Sequence, residues 1–152
     1  MEVETRKHIM RVAEFLHLFS CELLKRATLH DKSKFEEFEA PIFEEFTPQL
    51  KGTTYGSDAY QDLLAKIKPA LDHHYAHNRH HPEFHKNGIQ DMTLIDLIEV
   101  MADWKSASER HADGDAYKSI EINQKRFGYS DELKQIFINT LKEVDDHAKK
   151  RF

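Results

Sequence analysis

The residues of this 152-residue chain best suited to chemistry stand in the segment Leu29-His30-Asp31-Lys32-Ser33-Lys34. His30 and Asp31 offer an imidazole nitrogen and a carboxylate side by side. His8 lies a helix-length upstream and Asp103 far downstream, on an Ala-Asp-Trp stretch. Two imidazoles and two carboxylates form a borderline-to-hard donor set. It suits Mn²⁺, Fe²⁺, Co²⁺, Ni²⁺, Zn²⁺ or Mg²⁺, with positions left for water. An ion held this way lowers the pKa of a bound water to about 7 and polarises a phosphoryl oxygen. Lys32, Lys34 and Arg79 are placed in sequence to neutralise phosphate charge, Arg79 in bidentate fashion.

A run of imidazoles, His73-His74-Tyr75-Ala76-His77-Asn78-Arg79-His80-His81, lies between these ligands. If it stays helical, His74, His77 or Asn78, and His81 share one stripe. If Pro82 bends its end away, His80 faces inward instead. His74 with His80 or His81 then holds a second ion, with Asp31 as the bridge, or binds the substrate beside Asn78. A nearby Asp or His is the expected general base. His80 and His81 are the candidates for the leaving-group acid. The plainer readings are a boundary histidine at His8, a helix-end cation with a capping carboxylate at His30-Asp31, and exposed ion pairs between Lys32, Lys34 and the acids Glu36, Glu37 and Glu39.

The elements that must position these groups are helices. Ile9, Val12, Leu16, Phe19 and Leu23 recur at spacings of three and four, which predicts a helix over about 4–27 with this stripe against a core. A second helical stretch carries Phe35, Phe38, Ile42 and Phe46, kinked or broken at Pro41. Thr47 to Ser57, with Pro48, Gly52 and Gly56, reads as a loop. Ser57 is the expected N-cap of a third helix that Pro69 kinks or divides. Thr93 with Asp96 resembles a capping box opening a helix that Gly114 closes. Two more helices follow, at about 115–127 and 131–149.

Composition bounds the rest. One domain of about six helices, all-α, accounts for the length, the 39% apolar content and the scarcity of Gly and Pro. A net charge of −5 argues against general nucleic-acid binding. A single cysteine, Cys21, excludes an internal disulfide and thiolate-rich zinc sites. No leader-like or membrane-spanning run is seen, so a cytoplasmic location is expected, and a homo-oligomer is left open. Eleven histidines, clustered, are the compositional anomaly.

The order His8, His30-Asp31, Asp103 resembles the H…HD…D signature of HD-domain metal-dependent phosphohydrolases. His30-Asp31-Lys32-Ser33-Lys34-Phe35, His74 with Asn78, His80 and His81, and Met101-Ala102-Asp103-Trp104 look like a family of small, functionally unassigned bacterial and phage proteins related to HD domains. Ser119-Ile120-Glu121-Ile122-Asn123 and Arg126-Phe127-Gly128 fit that family too. The resemblance implies a single HD-like helical domain that hydrolyses a small phosphoester, a nucleotide, with one or two divalent ions. The alternatives are a di-iron oxygenase on the same scaffold and a non-catalytic metal- or nucleotide-binding protein.

Overall fold

The structure is a computed structural model. It describes residues 2–50, 53, 57–109 and 114–149, and of residues 2 and 147–149 the backbone alone. The described residues form six α-helices and three short 3-10 turns, with no strand among them. The fold class is all-α. Contacts divide the chain into two compact units, Met1–Phe84 and His85–Phe152.

The first unit begins with α1, Glu2–Leu29, about 42 Å of unbroken helix. Good helix formers fill it, and the pairs Lys7–Glu4, Arg11–Glu14 and Lys25–Glu22 brace its surface one turn apart. The expected burial of its stripe is not found: Ile9, Val12, Leu16 and Phe19 are exposed. The packing of this unit is made instead by α2, Ala40–Leu50, lying along α3, Asp58–His77.

Of the two prolines expected to interrupt helices, Pro41 does and Pro69 does not: residues 36–39 are not helical, and the stretch carrying Phe35 and Phe38 becomes an α-helix only from Ala40. Pro41 is the second residue of α2, where a missing N–H costs nothing. Pro69 lies inside α3, which runs on through it. Leu63, Ile67, Ala70 and His74, spaced four, three and four, form the buried stripe that outweighs the one lost hydrogen bond. α2 also runs on past Thr47 and Pro48 to Leu50, into the expected loop; Gly52 and Gly56 lie outside the described residues. Ser57 caps α3 as its sequence implies, accepting from the Tyr60 N–H at 3.2 Å.

The second unit holds α4, Leu94–Ser108, α5, Ala116–Phe127, and α6, Asp131–Lys149. The Thr93–Asp96 capping box is formed in both directions. α4 ends at Ser108, short of Gly114. The Asp115 side chain accepts from the N–H groups of Tyr117 and Lys118 and starts α5. Gly128, at φ 67°, closes α5 in the left-handed region, which costs glycine little.

Met101, Ile120, Tyr129, Phe137 and Leu141 form the core of this unit, with Trp104 packed against it. The Tyr129 hydroxyl donates to the Ile120 carbonyl. Burial pushes its pKa up to about 12. The neutral phenol is the form the fold favours, against about 10 when unfolded. Its contribution to stability is therefore complete below pH 10 and lost as pH rises through 12. Denaturant melts should show this loss in the wild type and a flatter profile in Tyr129→Phe, which at neutral pH should be about 1 kcal/mol less stable.

Candidate metal centre

The site in the first unit is built where α1 stops. The His30 N–H donates to the Arg26 carbonyl at 2.7 Å, and at Asp31 the backbone turns into the left-handed region, φ 54° and ψ 21°. Asp is among the few residues that tolerate this conformation. A 3-10 turn, Lys32–Phe35, follows directly.

α3 supplies the opposing groups. Its buried stripe ends on His74, 2% exposed. The helix stops at His77 with an extended Asn78, and the chain folds back so that His80 and His81 return to His74. His80 is 2% exposed and His81 half-buried. The Asn78 side-chain amide donates to Ser33 Oγ at 2.7 Å and to the His74 carbonyl at 2.8 Å. The site therefore uses Asn78 as a clasp between α3 and the turn, whereas a substrate contact was expected of it.

One ligand atom from each of Asp31, His74, His80 and His81 lies within 4.8 Å of every other. His74 Nε2 is 3.0 Å from His81 Nε2 and 3.2 Å from Asp31 Oδ1, and His80 Nε2 is 3.4 Å from the same oxygen. Ligands about 2.1 Å from one ion stand about 3.0 Å apart at right angles and about 3.4 Å apart at the tetrahedral angle. The observed separations span that interval. Asp31 Oδ1 is buried and receives no hydrogen bond of good geometry.

Protonation suits an ion. Burial, joined by the neighbouring His80 and His74, lowers the His81 pKa to about 3, so its imidazole is neutral. Burial alone would raise the Asp31 carboxyl, but the facing His74 and the Lys34 ammonium outweigh it and hold the group well below the usual carboxylate range. Lys34 Nζ donates to Asp31 Oδ2 at 2.6 Å.

Behind His74 lies Glu39, fully buried. Its Oε2 accepts from Ser33 Oγ at 3.0 Å and faces His74 Nδ1 at 3.0 Å, while Oε1 faces His73 Nδ1 at 2.7 Å. Burial opposes its ionisation, and the bonds from His73, Ser33 and His74 prevail, lowering its pKa. An ionised Glu39 places the His74 proton on Nδ1 and leaves the Nε2 lone pair facing the ligand cluster, the arrangement that orients metal-binding histidines.

A family model matches residues 1–147 of the chain. The chain belongs to the family of unknown function DUF5662. Comparison with curated proteins and with solved structures gave no match. Membership of DUF5662 thus carries no activity with it, and the centre rests on its own geometry.

The structure brings together four of the residues singled out in the sequence, Asp31, His74, His80 and His81. His30 lies against them, its ring 4.5 Å from that of His80 and its Nε2 3.5 Å from Asp31 Oδ2. His8 is not brought to His30. Both belong to one straight run of chain, and 22 residues of helix put about 33 Å between them. Asp103 is half-buried on α4, in the second unit. Lys32 and Arg79 are exposed.

Glu39 and Ser33 escaped the sequence reading. Glu39 stands among Glu36, Glu37 and the two lysines and looks like one more surface acid. His74→Ala should abolish stoichiometric Zn²⁺ or Mn²⁺ binding in calorimetry. Glu39→Gln should retain the fold and weaken the ion by roughly 10- to 100-fold.

Proposed function

We propose that this protein is a metal-dependent phosphohydrolase acting on a small phosphoester, with a nucleotide as the first substrate class. The observation that carries the reading is the convergence of Asp31 Oδ1 with the Nε2 atoms of His74, His80 and His81 at ligand-to-ligand spacing. A divalent ion bound there supplies an activated water and an electrophile for a phosphoryl oxygen.

The chain's own groups do the remainder. Glu39 fixes the tautomer of His74. His81, neutral by burial, serves as a lone-pair donor, which sets aside its candidacy as leaving-group acid. Lys34 holds Asp31 Oδ2 and lends positive charge next to the place a phosphate would occupy. Lys32 and Arg79, both exposed, are the further cations placed in sequence beside the candidate ligands. An ammonium already on Asp31 Oδ2 competes with any second ion for that oxygen. One ion is therefore the favoured stoichiometry, and di-iron oxygenase chemistry is disfavoured. Three imidazoles also narrow the metal to Zn²⁺, Fe²⁺, Mn²⁺, Co²⁺ or Ni²⁺, since Mg²⁺ prefers all-oxygen shells.

A phosphate-release screen over mono-, tri-, cyclic and oligonucleotides, each with these ions and with Mg²⁺, tests the reading. Activity with at least one substrate is expected, lost in Asp31→Ala. Lys34→Ala should keep the ion and lower kcat/KM on the order of a hundredfold. Stoichiometric metal with no phosphate released from any substrate would identify a non-catalytic binder. Activity that survives Asp31→Ala would sink the mechanism.

A further inference from the structure

The longest helix among the described residues, α1, exposes an apolar face. Ile9 is 61% exposed, Leu16 58% and Phe19 56%, with Val12 and Phe15 above 40%. The stripe Ile9, Val12, Leu16, Phe19, Leu23 steps strictly by three, four, three and four. That period of 3.5 residues generates a seam for a second helix crossing at a shallow angle and supercoiling with the first.

We propose that α1 is a dimerisation helix, paired antiparallel with α1 of a second copy of this chain about a two-fold axis near Glu14. In that register Ile9 packs opposite Phe19 of the second copy and Val12 opposite Leu16, so the four central layers each join two apolar side chains, while Leu23 at either end comes opposite Thr5. An isologous contact must be complementary to itself, and the flanks meet that condition. Phe15 meets its own counterpart on one side of the axis, and the small Ala13 meets its own on the other. Farther out along the Phe15 side, Glu22 comes level with His8 of the second copy, an acceptor beside a donor. A parallel pairing would instead set the basic Arg6, Lys7 and Arg11 level with themselves.

The area is of the order that a stable pair needs. Five side chains, each about half exposed, offer on the order of 450 Å² of apolar surface per copy, and flanking stems bring this toward the roughly 800 Å² per partner of a stable interface. The overlap runs from residue 2 to residue 26. It stops one turn short of His30 and Asp31, so the pairing leaves the ligand-bearing turn outside the seam.

Sedimentation equilibrium of the full chain at tens of micromolar tests this. A dimer is expected. Leu16→Glu and Phe19→Glu, each on the exposed face, should give monomers that keep the wild-type helical circular dichroism. A second measurement reads the register without disrupting the seam. In a Cys21→Ser background, Phe15→Cys should be joined to its twin by a short bis-thiol cross-linker, and Met10→Cys should not. A monomeric wild type, a dimer that survives both glutamates, or a dimer in which Phe15→Cys fails to cross-link would overturn the proposal.

Discussion

A carboxylate with no access to water governs the first unit. An ionised Glu39 is tolerable there only because every face of it meets a donor. Those donors come from two elements, Ser33 from the turn after α1 and His73 and His74 from α3. The same bonds that satisfy the charge therefore fix the turn against α3, and Asn78 closes the joint from the far side. Because the carboxylate occupies Nδ1 of His74, the opposite nitrogen is the one left to face Asp31. The position of the cluster follows from the solvation of a group that is not in it.

Two terminations complete the arrangement. α1 must stop at Leu29 for Asp31 to enter the left-handed region and swing its carboxylate toward α3. α3 must stop at His77 for His80 and His81 to return. Had the helix continued, residue 81 would have stacked two turns beyond His74 along the same stripe, about 10 Å away, too far for both to reach one ion. Pro82, which disfavours helix at the residue before it, makes the second stop a property of the sequence.

How much of this was legible depends on how local the cause was. The caps at Ser57 and Thr93 are made by residues within a turn of each other, and the sequence displays them. The aspartate and the histidine run carry their chemistry on their faces. Glu39 does not: nothing within its own segment separates it from Glu36 and Glu37, and only the arrival of α3 from some 35 residues away buries it. Pro69 misled for the same reason, since the stripe that holds α3 together is stabilised by tertiary packing. His8 shows the converse error. Its candidacy came from residue type and the HD-like order, and the single helix that the same segment's periodicity predicts keeps it from His30.

The crowding of the three imidazoles is the strongest argument that something cationic belongs among them. With the His74 proton held at Nδ1, the Nε2 lone pairs of His74 and a neutral His81 would face each other at 3.0 Å, beside a buried carboxylate oxygen. A single proton shared between the two rings relieves one edge of that figure and leaves Asp31 Oδ1 without a donor of good geometry. A divalent ion at the centre relieves every edge at once, because each lone pair then points at positive charge. Lys34 cannot substitute for it, since its ammonium is engaged by the other oxygen of Asp31. The cluster could thus hold a compact cation with room for nitrogen ligands, whether or not the reaction is hydrolysis.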